Sequence, residues 1–399
     1  EVIMNKHFAQ LISKILLLIV IALSSGCGSA VIIPPATLTP TALQTLTNTP
    51  NPTSTNTPEP IQPKGTLIYS DNNNIYAVDL QNRKTKTIIS GENADYSYPV
   101  IDGNTIYFLQ RPQGRGVADI FEQPHQIFKV NLDGTGLEQL TFDDNSPDKS
   151  ELSSSPNSEY LAFVESGDTS SIVLFDKNQG DSRIIMQDGK FDYYQPTWSP
   201  NGKYIAFFKT TKNDPYSSIA VPYGHLILYS VDDKKILEPI PGKESPIYLE
   251  SWSPDSKNIA FNVGGNVPAN IVLLNVSNIF AGQNTEGTYY DMSGWGLNWS
   301  PNGKMILFSG ISKDYENQLF LLELDSGKIS PISFGPQRIA GYGGLWSPDG
   351  NSIAYITSAG KPPIPNPSIL NIQNIDTGES IQFEIPGEGW ISCISWLIP

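Results

Sequence analysis

Trp299-Ser300-Pro301-Asn302-Gly303 leads into the apolar run Ile306-Leu307-Phe308, and nearly the same phrase recurs through the chain. Trp198-Ser199-Pro200-Asn201-Gly202 precedes Ile205-Ala206-Phe207. Trp252-Ser253-Pro254-Asp255-Ser256 precedes Ile259-Ala260-Phe261, and Trp346-Ser347-Pro348-Asp349-Gly350 precedes Ile353-Ala354-Tyr355. Copies near 50 residues apart mark a propeller or solenoid. Weaker copies lie upstream: Ser154-Ser155-Pro156-Asn157 before Leu161-Ala162-Phe163, and Asp102-Gly103-Asn104 before Ile106-Tyr107-Phe108. In these the Trp place is held by Ser154 and Pro99. With Trp396 the anchors fall at 99, 154, 198, 252, 299, 346 and 396.

Each apolar run is followed by a second one that often ends in Asp, then a turn and a shorter strand, as in Ile75–Asp79 and Thr87-Ile88-Ile89. Alternation broken by Asn, Asp and Gly predicts hairpins, and four such strands make a propeller blade. Leu67-Ile68-Tyr69 lacks a Trp strand in front of it, and Trp396 lacks a continuation behind it. Joining the two gives an all-β, seven-bladed propeller of four-stranded antiparallel blades, closed by pairing the C-terminal strand with the N-terminal blade. That closure removes an exposed edge. The anchors Trp198, Trp252, Trp299, Trp346 and Trp396 are expected to fill the seams between blades, with Ala in the next strand leaving room.

The N-terminal stretch predicts location. Lys6 and Lys14 flank a basic leader, Ile15 to Leu23 is apolar throughout, and Ser24-Ser25-Gly26 stands before Cys27. Nine apolar residues suit a signal-peptide core and are too few to span a bilayer. Small residues before the cysteine resemble a bacterial lipoprotein cleavage site, which makes residues 1–26 a signal peptide and Cys27 the lipid attachment point. Residues 28–64 hold nine Thr and eight Pro, with Glu59 and Lys64 as the only charges. Such a stretch cannot bury enough surface to fold, so residues 27–64 read as a lipidated tether and 65–399 as the propeller. Extended, the tether reaches about 110 Å. The expected location is the bacterial cell envelope, outside the cytoplasm and held to the membrane by lipid. Cys393, the only other cysteine, reads as a small packed side chain.

The chain carries 25 basic and 40 acidic residues, a formal charge of −15. No Lys/Arg stripe stands ready to neutralise phosphates, which argues against nucleic acid. No G-x-S-x-G elbow, G-x-x-x-x-G-K-[ST] loop or H-E-x-x-H site occurs. His125 and His225 stand without nearby His or Cys. Asp143, Asp144, Asp148 and Glu151 offer oxygens for Ca²⁺, but their spacing fits no EF-hand. No catalytic residue, metal site or cofactor is assigned.

Longer connections between the second and third strands, at 110–124 and 209–224, put Arg111, Arg115, Asp214, Tyr216 and Tyr223 on one end of the propeller. Tyr194, Tyr248, Trp295 and Tyr342 each stand four residues before an anchor. Positions four apart in a strand point the same way, which sets these aromatics near the channel mouth, and Trp390 lies close by a looser count. This rim suits a protein, peptide or glycan ligand; packing between blades is the structural alternative. An enzyme reading, a polysaccharide hydrolase or lyase, needs paired carboxylates, and Asp192, Asp291 and Glu388 are the candidates near the mouth. A third reading is a structural envelope component.

The phrase W-S-P-[DN]-G-x-x-[IL]-[AL]-[FY] resembles the TolB-type propeller repeat and is similar to repeats in the propellers of prolyl-oligopeptidase relatives. The resemblance spans residues 65–399. It implies the propeller fold, a site outside the cytoplasm and a habit of binding proteins or peptides. The small α/β domain that precedes the TolB propeller, and the hydrolase domain of the peptidases, have no counterpart in these residues, so no family catalytic residue carries over.

Overall fold

The computed structural model describes residues 63–71, 73–91, 97–111, 124–142, 147–212, 223–240, 245–246, 251–263, 270–283, 286–292, 294–311, 317–332, 338–339, 343–358, 368–387 and 392–397. The leader, Cys27 and most of the tether lie outside them. The described residues form seven antiparallel sheets of four or five strands. Blade 1 combines Thr66–Ser70, Asn74–Asp79 and Lys84–Ser90 with Ser392–Leu397 from the far end of the sequence. Leu67 pairs with Trp396, as expected for ring closure. The first strands of blades 2 to 6 are Ser97–Asp102, Asp148–Ser154, Phe191–Trp198, Ser251–Trp252 and Trp295–Trp299. In blade 7, Arg338–Ile339 and Leu345–Trp346 both pair with Ser352–Ser358. In six of the seven seams these strands, with Ser392–Leu397 of blade 1, neighbour one another from blade to blade, and so line the inside of the ring.

The core is seven apolar clusters, one in each seam. Ala206 and Phe208 of blade 4 meet Trp252, Ile259 and Phe261 of blade 5, while Ile205 and Phe207 meet Val164 and Ile172 of blade 3. Strand alternation thus sends neighbouring side chains into opposite seams. Each anchor Trp lies in one seam cluster with the small residue of the preceding blade: Trp198 with Ala162, Trp252 with Ala206, Trp299 with Ala260 and Trp396 with Ala354. Leu307 takes the small-residue place opposite Trp346. The indole N–H of Trp299 donates to Ser251 O and that of Trp346 to Asn298 O, both at 3.0 Å, and Trp252 donates to Thr197 Oγ1 at 3.2 Å. Trp396 donates to Lys64 O at 2.9 Å, fastening the chain that enters blade 1. Trp198 Nε1 is buried without a partner.

The repeated phrase is a self-contained turn. Ser300 Oγ donates to Asn302 Oδ1 (2.8 Å) and accepts from the Met305 N–H (2.9 Å). The same bonds recur at Ser155, Ser199, Ser253 and Ser347. The turn then enters the left-handed region, at Gly202, Gly303 and Gly350 with φ of 71°, 70° and 75°. Where Ser replaces this glycine, its hydroxyl bonds to the preceding blade: Ser256 Oγ accepts from the Asn201 N–H at 2.9 Å, and Ser158 Oγ donates to Asp102.

One expectation needs correction. In blade 2 the anchor register belongs to Ile101, which pairs with Ile106 as Trp198 pairs with Ile205; Pro99 does not hold it. Asp102 pairs with Thr105 across a two-residue turn, so counting back through the longer phrase overshoots by two. The all-β architecture holds, and the described residues include a short helix, Val276–Phe280, capped by Asn275, whose side chain accepts from the Asn278 N–H at 2.9 Å. At one turn it is too short to leave a period in the sequence. Among the described residues no helix is long and apolar enough to cross a membrane.

Candidate functional site

The inner strands begin at one end of the ring and finish in the Ser-Pro turns at the other. Each turn is tied by its own hydrogen bonds, and a pocket opens between the turns of blades 5 and 6, lined by Pro254, Asp255, Trp299, Pro301 and Asn302. The opposite end carries the connections of uneven length, and charged side chains gather there. Tyr248, Tyr342, Trp390, Arg115, Asp214, Tyr216, Glu388, Asp143 and Asp144 lie outside the described residues, and of Tyr223 and Cys393 only the strand placement is described. Tyr194, Trp295, Arg111, His125, Asp148, Glu151, Asp192 and His225 are described.

Tyr194 and Trp295 hold the same register, facing Phe208 and Ser309 on their second strands. Their direction differs from the four-residue argument. A β-bulge interrupts the inner strand between each aromatic and its anchor: between Tyr194 and Thr197, and between Trp295 and Asn298. The extra residue reverses the alternation. Tyr194 therefore packs with Ala206 and Phe208 toward blade 5, and Trp198 with Ile205 and Phe207 toward blade 3. Tyr194 is half-buried. Burial, with Asp192 and Glu151 nearby, pushes its hydroxyl pKa up.

The bulge sets a left-handed residue three places before the anchor in four blades: Glu151 (φ 58°), Gln195 (φ 53°), Gly296 (φ 62°) and Gly343 (φ 74°). Sequence reasoning passed over this position, although glycine three residues before Trp299 and Trp346 was a signal. At Gly343 a Cβ would stand 2.9 Å from Gly296 O, so adjacent bulges touch around the ring. In blades 3 and 4 the contact is polar: the Gln195 N–H donates to Glu151 Oε2. Burial pushes the Glu151 carboxyl up to about 7, against this one hydrogen bond that favours its charge.

At the start of blade 3, Asp148 Oδ1 accepts from the His125 N–H at 2.7 Å and lies 2.8 Å from His125 Nδ1; Arg111 Nη2 stands 3.9 Å from Oδ2. Burial of Asp148 acts upward, but the two His125 bonds outweigh it and hold its carboxyl low. His225 Nδ1 lies 3.1 Å from Glu238 Oε1, off the hydrogen-bonding direction, while Lys209 Nζ donates to Glu238 Oε2 at 2.9 Å. Both histidines that looked isolated in the sequence thus have a carboxylate neighbour. Among the described residues no group of three or more His, Cys, Asp or Glu is placed to hold a metal ion. A half-buried carboxyl, an amide and a phenol midway along the inner strands of blades 3 and 4 can orient a polar ligand, and the Glu151 carboxyl can exchange a proton near neutrality.

Comparison with known proteins places the fold. The family model for eukaryotic translation initiation factor eIF2A matches residues 188–361, the part that holds the four full Trp-Ser-Pro phrases. No curated protein sequence matches the chain. A prolyl endopeptidase structure is similar with a TM-score of 0.59 and 10% identity, over 84% of this chain and 49% of that one. An oligogalacturonate lyase in complex with manganese gives 0.58 and 12%, over 76% and 83%. TolB from Acinetobacter baumannii gives 0.49 and 13%, over 81% and 78%. At such identities the likeness concerns the propeller alone.

Proposed function

We propose that the protein is a lipid-anchored module of the bacterial envelope, outside the cytoplasm, that binds a protein, peptide or glycan at the loop-rich end of its propeller without catalysing a reaction. The contrast between the two ends of the ring carries this reading. At the turn end the repeated serine answers its own backbone and the Asn or Asp beside it. Toward the other end, midway along the inner strands of blades 3 and 4, Glu151 and Gln195 keep acceptor capacity that the fold does not use. The acidic balance favours solubility and disfavours an anionic membrane face, leaving attachment to the lipid on Cys27.

Glycan and peptide arrays probed with the full chain test the binding reading. A reproducible ligand is expected, with affinity lost in the Trp295→Ala, Tyr342→Ala double variant. Retention of every detected interaction would return those residues to packing, and turnover of a bound polymer would overturn the non-enzymatic reading. Cys27→Ala is expected to shift the protein from the membrane to the soluble fraction. A native N-terminus found beyond residue 27 without acyl groups would refute the anchor.

A further inference from the structure

Blades 6 and 7 fill the left-handed bulge position with glycine, the residue that adopts it without strain. Blades 3 and 4 fill it with Glu151 and Gln195. Side chains held in this region at a steric cost gather at functional sites, and these two sit side by side on neighbouring inner strands. The Glu151 carboxyl accepts one hydrogen bond, from the Gln195 N–H. Gln195 Oε1 is buried with no partner. Glu151 thus has a single donor and the buried Gln195 Oε1 has none, an arrangement that is costly unless another donor arrives.

Among the described residues, the cations nearby are committed elsewhere. Lys149, on the same strand as Glu151, faces Glu165 at 3.9 Å; Lys177 pairs with Asp102; Arg111 and His125 turn to Asp148. On the facing strand of blade 4, Asp192 and Tyr194 bring no positive charge. We propose that Glu151 and Gln195 form a subsite for the ammonium or guanidinium group of a basic peptide segment. This rests on the binding reading above and names the chemistry of its ligand. Ca²⁺ suits the pair poorly, since it takes 6–8 oxygens. The net charge of −15 draws a basic segment toward the protein.

The test follows the glutamate carboxyl carbons of the full, isotope-labelled chain by NMR across pH, with Glu151→Gln assigning the resonance. n-Butylammonium stands in for a lysine side chain, with n-butanol and sodium chloride at matched ionic strength as controls. The Glu151 midpoint is expected to move to lower pH with n-butylammonium alone. An unmoved midpoint, or an equal shift with sodium or butanol, would overturn the subsite. Glu151→Gly adopts the residue of blades 6 and 7, and should stay folded while losing affinity for lysine- or arginine-bearing array peptides. If array ligands are found and neither variant weakens them, the subsite fails and the binding reading stands. If no array ligand is found but n-butylammonium still shifts Glu151, the subsite stands and the array reading fails. An amino-sugar ligand that depends on Glu151 would overturn the peptide assignment.

Discussion

Glu151 is where conformation and protonation meet in one side chain. Its folded carboxyl titrates near 7, against 4.5 for an ordinary glutamate. Below about pH 4.5 the group is protonated in the folded and unfolded states alike. Between there and about 7 the folded state binds more protons, so stability falls as pH rises, then levels off. At about 1.4 kcal/mol per pH unit the effect reaches at most about 3 kcal/mol. Glu151→Gln keeps an acceptor for the Gln195 N–H and should remove this slope. Urea midpoints at pH 4.5 and 8 are expected to lie closer together in the variant than in the parent; an unchanged gap would place the slope elsewhere. Asp102 and Asp148, with carboxyls held low, lose their contributions at more acidic pH than this window.

The turn and the seam are the elements that build the ring, and each has a measurable hub. Ser300 is buried, and its hydroxyl answers the Met305 N–H. Ser300→Ala leaves that donor without its acceptor and should cost about 1–3 kcal/mol by chemical denaturation; a neutral result would mean water replaces the hydroxyl. In the seams, Trp299 donates to Ser251 O whereas Trp198 has no acceptor. Trp299→Phe should therefore cost about 1 kcal/mol more than Trp198→Phe, and equal losses would show that ring volume alone sets the anchor's worth. The turns were legible in the sequence because Ser, Pro, Asn/Asp and Gly each supply one fixed requirement of the same geometry. The bulge was legible only where Gly296 and Gly343 fill it, and not in blades 3 and 4. There it inserts a residue that carries no turn signature, so Glu151 and Gln195 read as ordinary strand positions, and the parity drawn from Tyr194 to Trp198 was reversed. Ile101 was missed for a related reason: a turn shortened by two residues moves the register without changing the apolar run behind it.

The whole molecule was read from its two unequal ends, and pairing Leu67 with Trp396 bears that out. The loop-rich end was only partly legible, because its residues follow no repeat and the uses of Tyr194 and Glu151 depend on strands far apart in sequence. Deleting residues 391–399 removes the inner strand of blade 1, strips Thr66–Ser70 of one hydrogen-bonded neighbour and uncovers the cluster around Leu67, Tyr69 and Ala354. Aggregation, or a fall in melting temperature larger than that of Trp396→Ala, is expected; a monomeric truncation that melts with the parent would refute closure by this strand. The same pairing has a kinetic side. Synthesis delivers Thr66–Ser70 more than 320 residues before its inner partner, so six blades can be complete while the first waits with an open flank. A contact spanning more than 320 residues costs loop entropy before it returns any packing, which leaves the edge of Thr66–Ser70 open until the six-residue strand Ser392–Leu397 docks.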